Sequence, residues 1–181
     1  MNIDAPADPP AGVWVNPQVS VGPSPIAGHG LFAIAPIEAG SPVLRLGGRL
    51  VTTAELESMF AAAADDPTAT YIDTFSVVGD AHLVLPPSTA AHFCNHSCEP
   101  NLWMEGPYTI VSRRAVSIGD ELTIDYGTIS GAPGFEMKCS CGSTRCRGVV
   151  TSDDWLLPAL QASYGQHWVP VLADRIRSIR W

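Results

Sequence analysis

The segment HFCNHSCEPN, residues 92–101, combines an asparagine–histidine pair with two cysteines, and the segment DELTIDY follows it at residues 120–126. An asparagine amide both donates and accepts hydrogen bonds, which suits recognition of a small ligand. A cysteine thiolate is instead a ligand for metal ions. We therefore expect two functions to share this part of the chain, a small-ligand site and a metal site.

Three further cysteines lie in the segment KCSCGSTRCRG, residues 138–148, with C-x-C-x4-C spacing. Together with one cysteine of the first segment they supply the four thiolates that a closed tetrahedral zinc site requires. The predicted zinc ligands are Cys98, Cys139, Cys141 and Cys146. A closed site leaves no coordination position for a catalytic water, so we expect one structural zinc ion. A disulfide or a set of free thiols is the alternative.

These motifs resemble those of the SET-domain protein lysine methyltransferases that carry a post-SET cysteine motif. The family pattern is R-F-x-N-H-S-C-x-P-N, then G-x-E-L-T-x-D-Y, then C-x-C-x4-C-R-G, and the expected upstream G-x-G motif is supplied by GHGLFA at residues 28–33. The resemblance covers about residues 19–150. It implies a mainly β, SET-type (β-clip) fold of small curved sheets with a pseudoknot-like threading, few short helices and a C-terminal helical extension.

The resemblance implies an enzyme that transfers methyl groups from S-adenosylmethionine to lysine side chains of a protein substrate, leaving S-adenosylhomocysteine. Such an in-line displacement requires alignment of a neutral amine with the methyl carbon in a dry channel. Tyr126 matches the active-site tyrosine of the family, and Tyr71 is the candidate for a second channel tyrosine. For both residues, packing of the ring is the alternative explanation.

The resemblance also implies which residues contact the cofactor. The loop at Gly28, His29 and Gly30 would cradle S-adenosylmethionine with its backbone, since glycine permits close approach and positive φ angles. A plain tight turn is the alternative for this loop. Asn95 and His96 match the cofactor-contacting pair of the family, although a buried histidine satisfied by main-chain bonds is the alternative for His96.

Three other positions bear on the site. Trp155 is expected to cover the cofactor or to line the lysine channel, or else to anchor the terminal helix to the sheet. His92 stands where the family commonly has arginine, which puts the ion pair of that arginine in doubt. Ile124 stands two residues before Tyr126, where the family usually has phenylalanine or tyrosine, and this predicts methylation beyond a single methyl group.

Two other functions remain open at the level of the sequence. One is a catalytically silent SET-like module that binds a basic peptide, and the other is a methyltransferase that acts on a small amine. The joint presence of Tyr126, Asn95, His96 and the G-x-G loop argues against the silent module, because an inactive copy need not retain all of them. The sequence does not separate protein substrates from small amines.

The composition excludes several classes of protein. A chain of 181 residues with 46% hydrophobic residues suits one domain with a core rather than a disordered chain. A net charge of −8 suits a basic, lysine-containing protein partner, with the alternative that the surplus carboxylates merely keep the protein soluble, and it argues against direct binding of nucleic acid. No apolar run is long enough for a membrane span, and the N-terminal residues do not resemble a signal peptide. We expect a cytoplasmic protein, or a nuclear one if the source is eukaryotic, whereas the oligomeric state is not indicated.

Turn residues and hydrophobic patterns predict the organisation of the chain. We divide it into a disordered arm at residues 1–12, a SET domain at 13–134, a post-SET zinc segment at 135–152 and a C-terminal helical extension at 153–181. A capping box, Thr52-x-x-Glu55, predicts a helix that ends at Ala64, and two further helices are expected after residues 152–154 and at 169–179. Strands are predicted at residues 13–15, 19–21, 31–34, 43–50, 71–78, 82–85, 109–115 and 121–125.

Overall fold

The computed structural model describes residues 8–69, 71–131 and 134–179. Within these residues the chain forms small antiparallel sheets and three short α-helices, which confirms the predicted fold class. The first seven residues of the predicted arm lie outside the described residues. The division into arm, SET domain, post-SET segment and extension stays a prediction.

The strands are β1 (Trp14–Val15), β2 (Val19–Pro23), β3 (His29–Ala33), β4 (Pro42–Arg45), β5 (Arg49–Thr52), β6 (Thr74–Val78), β7 (Ala81–Val84), β8 (Leu102–Glu105), β9 (Thr109–Ser112), β10 (Glu121–Leu122), β11 (Glu136–Lys138) and β12 (Val149–Thr151). They form sheets of strand order β1-β4-β9-β8, β10-β3-β2, β5-β7-β6 and β11-β12. The α-helices are α1 (Thr53–Ala64), α2 (Pro158–Tyr164) and α3 (Pro170–Ser178), and 3-10 turns cover Ala90–Phe93, Tyr126–Thr128 and Asp154–Leu156.

The hydrophobic core lies between the sheets and beneath the two C-terminal helices. Its members include Leu31 of β3, Leu44 of β4 and Leu83 of β7, all fully buried. Burying each such side chain contributes about 1.5–3 kcal/mol to folding. Because three sheets and α3 share this one core, the loops at their edges are held in fixed positions relative to one another.

Pairing between the two diagnostic segments of the sequence brings the candidate site together. His96 and Ile124 form a parallel bridge, with Ile124 N–H donating to the Asn95 carbonyl (3.0 Å) and Ser97 N–H donating to the Ile124 carbonyl (3.1 Å). Residues 92–101 and 120–126 therefore lie side by side, although two strands, β8 and β9, separate them in sequence.

The capping box at the start of α1 is confirmed. The Thr52 hydroxyl accepts a hydrogen bond from Glu55 N–H (3.2 Å), and the Glu55 carboxylate accepts one from Thr52 N–H (2.7 Å). The helix ends at Ala64, as its sequence predicts. Cys94 directly precedes Asn95, and in an extended segment the sequence predicts that it points the opposite way, into the core. Cys94 is indeed buried, and burial raises the pKa of its thiol to about 12.

Two local predictions are wrong. The strand predicted at residues 43–50 is divided into β4 and β5, because Gly48 adopts a positive φ of 150° where a Cβ would overlap the Val84 carbonyl oxygen. The helix expected directly after residues 152–154 is a 3-10 turn without a side-chain cap, and α2 begins only at Pro158. The Asp154 carboxylate does not cap that turn, because it accepts a hydrogen bond from the Thr151 hydroxyl (3.0 Å).

Strands β8, β11 and β12 were not predicted, because their short runs carry little alternation. Among the helices of the described residues, none has the length and apolar character that a membrane crossing needs.

Candidate functional site

Two cavities meet at Tyr126. The larger, of about 380 Å³, lies beside α1 and β6 and has a largely apolar lining that includes Leu56, Phe75 and Ile124. The smaller, of about 100 Å³, has a lining drawn from four separate parts of the chain: Ile26, Ala27, Asn95, His96, Tyr126, Met137, Lys138 and Ser140. Tyr126 lines both, so its side chain lies at the boundary between them.

The Tyr126 hydroxyl is fixed and protonated. It donates a hydrogen bond to the Cys94 carbonyl oxygen (2.9 Å), and the residue begins the 3-10 turn Tyr126–Thr128. Burial raises the pKa of Tyr126 well above its usual value, so the phenol stays neutral at physiological pH. A neutral, oriented hydroxyl positions a reacting group without competing as a nucleophile.

Tyr71 lines the larger cavity with Tyr126, but it is 78% exposed and therefore lies at the mouth of the cavity. Its ring meets the edge of the His92 ring at a centroid distance of 6.3 Å. His92 Nδ1 lies 3.0 Å from a carboxylate oxygen of Asp73, and His92 Nε2 lies 3.1 Å from the Pro86 carbonyl oxygen. His92, which stands where the family commonly has arginine, thus has a carboxylate partner in Asp73.

Asn95 joins its own segment to the G-x-G loop. Its Nδ2 lies within hydrogen-bond distance of four acceptors, which are Glu121 Oε1 (2.8 Å), the His29 carbonyl (2.9 Å), Ser24 Oγ (3.1 Å) and the Ala27 carbonyl (3.3 Å). The predicted cofactor residues Gly28, His29 and Gly30 are therefore adjacent to Asn95, although they do not themselves line the smaller cavity.

His96 connects the cysteine cluster to Tyr126. Its Nδ1 accepts a hydrogen bond from Tyr126 N–H (3.1 Å), so the ring hydrogen sits on Nε2, which lies 3.3 Å from Cys98 Sγ. Burial lowers the pKa of His96, which keeps the ring neutral in this tautomer. Both ring nitrogens of His96 therefore have hydrogen-bond partners within the protein, as the alternative of a structural buried histidine requires. The residue also lines the smaller cavity.

The four predicted metal ligands converge. The sulfurs of Cys98, Cys139, Cys141 and Cys146 all lie within 4.8 Å of one another, and those of Cys98 and Cys139 are 3.8 Å apart. A tetrahedral ion with metal–sulfur bonds of about 2.3 Å would separate its ligands by about 3.8 Å. The donor set and its spacing therefore fit a metal ion that prefers thiolates.

A buried ion pair that the sequence did not reveal lies behind the site. Asp125 is fully buried and accepts two hydrogen bonds from the Arg147 guanidinium (2.6 and 2.7 Å), one from Gly127 N–H (2.9 Å) and one from the Tyr164 hydroxyl (2.9 Å). Arg147 Nε also lies 3.0 Å from a carboxylate oxygen of Asp154. The arginine of the C-R-G motif was the sequence feature that pointed here, but its partner lies 22 positions away.

Trp155 lines neither cavity. Its half-buried ring packs against the core, and its carbonyl oxygen accepts a hydrogen bond from the Gln161 amide of α2 (2.8 Å). These contacts favour the anchoring role considered for this residue, and its contact with a cofactor stays a prediction.

Comparison with known proteins identifies the family. The sequence profile of the SET domain matches residues 28–127, which is more than half of the chain. The chain belongs to the SET domain family. The matched residues span the G-x-G loop, the Asn95–His96 pair and Tyr126, whereas part of the lining of both cavities lies outside them.

Individual SET domain relatives agree with this assignment. Human histone-lysine N-methyltransferase 2B is 36% identical over 139 residues, which cover 71% of this chain and 5% of the relative. Histone-lysine N-methyltransferase ash1 of Drosophila melanogaster is 29% identical over 148 residues, which cover 75% of this chain and 6% of the relative. The chain thus spans only a small part of the curated relatives that it matches.

A solved structure shares the fold. The methyltransferase domain of the human histone-lysine N-methyltransferase SETMAR superimposes with a TM-score of 0.59 at 19% sequence identity, over 75% of this chain and 58% of that one. At this identity the likeness concerns the fold alone.

We expect Tyr164→Phe to lower the free energy of unfolding by about 1–2 kcal/mol, because it removes one donor from the buried carboxylate of Asp125. Asp125→Asn should cost more, about 3–5 kcal/mol, because it removes the charge of the carboxylate that accepts two hydrogen bonds from the buried Arg147 guanidinium. Urea denaturation measures both. Tyr108→Phe is the matched control, since the Tyr108 hydroxyl is buried and has no hydrogen-bond partner among the described residues. Equal effects of Tyr164→Phe and Tyr108→Phe would contradict the role of Tyr164.

Proposed function

We propose that this chain transfers methyl groups from S-adenosylmethionine to lysine side chains of a protein. The observation that carries the proposal is the place of Tyr126, which lines both cavities and whose neutral hydroxyl is held by the Cys94 carbonyl oxygen. The smaller cavity borders the residues that match the cofactor motifs of the family, and the larger one is apolar enough to accept the aliphatic stem of a lysine. Membership of the SET domain family supports the same activity.

In this proposal the cofactor binds on one side of Tyr126 and the substrate lysine on the other. The bound cofactor supplies an electrophilic methyl group. On the other side, the apolar lining at Ile110, Ile124 and Ile129 excludes water and disfavours the charged form of an inserted amine. Tyr126, held by the Cys94 carbonyl, orients that neutral amine.

Charge supports a basic protein substrate. Residues 51–80, several of which line the larger cavity, include no lysine or arginine. Their acidic residues are Glu55, Glu57, Asp65, Asp66, Asp73 and Asp80. Such a one-sided distribution attracts a positively charged peptide and raises its rate of encounter.

We further propose that the four cysteines hold one structural zinc ion. Three of them follow β11, and the residues Met137, Lys138 and Ser140 of the same segment line the smaller cavity. Cys98 belongs to the segment that carries Asn95 and His96. An ion bound by all four would therefore clamp one wall of the cofactor site onto the other.

The location of the protein in the cytoplasm or nucleus and the absence of direct contact with nucleic acid stay predictions.

Tyr126→Phe tests the proposed activity. We expect it to retain binding of S-adenosylhomocysteine but to lose turnover by a factor of ~10² or more, because only the orienting hydroxyl is removed. Incubation of both proteins with labelled S-adenosylmethionine and a proteome lysate, followed by mass spectrometry, measures turnover and identifies methylated lysines. Equal labelling by the variant would show that Tyr126 has a structural role only. Labelling of small amines without labelling of proteins would contradict the proposal that the substrate is a protein.

The zinc proposal predicts about one zinc ion per chain in elemental analysis of the purified protein. Cys141→Ser should reduce the zinc content and weaken binding of S-adenosylhomocysteine. Cys94→Ala is the control, because this buried cysteine lies outside the cluster, and it should retain the ion. The zinc proposal would be contradicted if the purified protein contained no zinc and Cys141→Ser left the affinity for S-adenosylhomocysteine unchanged.

Ile124 predicts products with more than one methyl group. This residue lines the larger cavity and has no hydroxyl to hold a water molecule, so a methylated amine has room to rotate and present its lone pair again. Mass spectrometry of a substrate peptide after prolonged reaction should detect dimethylated or trimethylated lysine. Ile124→Tyr should restrict the product to fewer methyl groups, and identical products from both proteins would exclude control by this position.

A further inference from the structure

The amide of Asn95 has a defined orientation. Its Nδ2 faces four oxygen atoms, from Ser24, Ala27, His29 and Glu121. The two carbonyls and the carboxylate can only accept hydrogen bonds, so they would repel an oxygen in the same place. The Asn95 Oδ1 must therefore occupy the other side of the amide, and among the described residues no group donates to it. Since Asn95 lines the smaller cavity, this free acceptor is available to a ligand there.

Glu121 is the charged member of this set of acceptors. One of its oxygens accepts hydrogen bonds from both Asn95 Nδ2 (2.8 Å) and Ser24 Oγ (2.8 Å). The other oxygen is buried and has no hydrogen-bond partner within the part of the chain that the structure describes. Hydrogen bonds to a carboxylate are about twice as strong as those between neutral groups, so Glu121 contributes most to the orientation of Asn95.

Gly30 provides the space that Glu121 occupies. A Cβ built on Gly30 would overlap the Glu121 carboxylate oxygen and lie 3.1 Å from Ser24 Cβ. The backbone of Gly30 lies outside the left-handed region, so its conformation alone does not demand glycine. A larger residue in place of the second glycine of the G-x-G motif would therefore displace the Glu121 carboxylate.

We propose that Glu121 is a positioning residue for cofactor binding. It fixes the Asn95 amide so that Oδ1 faces the smaller cavity and accepts a hydrogen bond from an N–H group of the cofactor, and Gly30 is glycine because the Glu121 carboxylate needs its place. The inference rests on the proposed function, since it takes the occupant of the smaller cavity to be S-adenosylmethionine.

Coupling between Gly30 and Glu121 tests the proposal. Gly30→Ala and Glu121→Ala should each raise the dissociation constant for S-adenosylhomocysteine about tenfold or more, since each displaces or removes the carboxylate that accepts the shortest hydrogen bond from Asn95 Nδ2. The double variant should bind no more weakly than either single one, because the methyl group added at position 30 no longer meets a carboxylate. Isothermal calorimetry measures the affinities, and circular dichroism checks that each variant is folded.

Two control variants separate this effect from a general disturbance. Gly22 pairs with Gly30 across β2 and β3, and a Cβ there would lie 3.4 Å from the Phe32 ring, so Gly22→Ala should change the affinity less than about twofold. Glu121→Gln keeps an oxygen that accepts the same two bonds, and it should bind within about threefold of the unaltered protein. In turnover assays, Glu121→Ala should raise KM for the cofactor with little change in kcat at saturation.

The outcomes are distinct. Additive losses in the double variant would show that Gly30 contacts the cofactor directly and would overturn the proposal, as would unchanged affinity in Glu121→Ala. If that variant does not fold, Glu121→Asp replaces it, because a carboxylate one methylene shorter withdraws from Asn95 and should weaken binding equally; unchanged affinity there also overturns the proposal. Absence of S-adenosylhomocysteine binding by the unaltered protein would overturn the proposed function and this inference together.

Discussion

The buried ion pair between Asp125 and Arg147 is the constraint on which the rest of this site depends. A fully buried carboxylate is costly unless its charge and both oxygens are satisfied, and four hydrogen bonds satisfy Asp125. Its partners come from the residues after Tyr126, from the cysteine-rich segment and from α2, which supplies Tyr164. Three parts of the chain that are distant in sequence must therefore assemble before this charge can be buried. Tyr126, the next residue, takes its position from that assembly.

The cysteine cluster is joined to the same assembly through hydrogen bonds. Arg147 N–H donates to Cys98 Sγ (3.3 Å), and His96 lies between this sulfur and Tyr126 N–H. Gly127 permits the close approach, because a Cβ there would lie 2.9 Å from Asp154 Cβ and 3.3 Å from Arg147 Nη2. The cysteine cluster and Tyr126 are therefore joined by two short hydrogen-bonded connections, one through Arg147 and Asp125 and one through the His96 ring.

On the opposite side of Tyr126, a network of polar side chains holds Asn95, which lines the smaller cavity. Asn95, Ser24 and Glu121 form a hydrogen-bonded network. The Asn95 amide nitrogen donates within this network, whereas no group of the described residues donates to the Asn95 amide oxygen. The larger cavity is instead mainly apolar, with an acidic surrounding segment. This contrast suits two different occupants, a polar cofactor that needs oriented hydrogen-bond partners and an aliphatic side chain that needs exclusion of water. Tyr126 is the residue that both environments have in common.

The sequence by itself determined the family, the α1 capping box, the burial of Cys94 and the set of four cysteines. These features depend on residue types at fixed spacing, and a capping box or an alternating strand is decided by neighbours within a few positions. Only the tertiary structure decided that Arg147 and Tyr164 meet Asp125, that His92 keeps a carboxylate partner in Asp73, and that α2 starts at Pro158. It also placed Trp155 against the core and Gly30 beside Glu121. These contacts join residues that are far apart in the chain. They form because burying an unpaired charge or polar group is costly, and a local sequence pattern does not show which distant residue will be the partner.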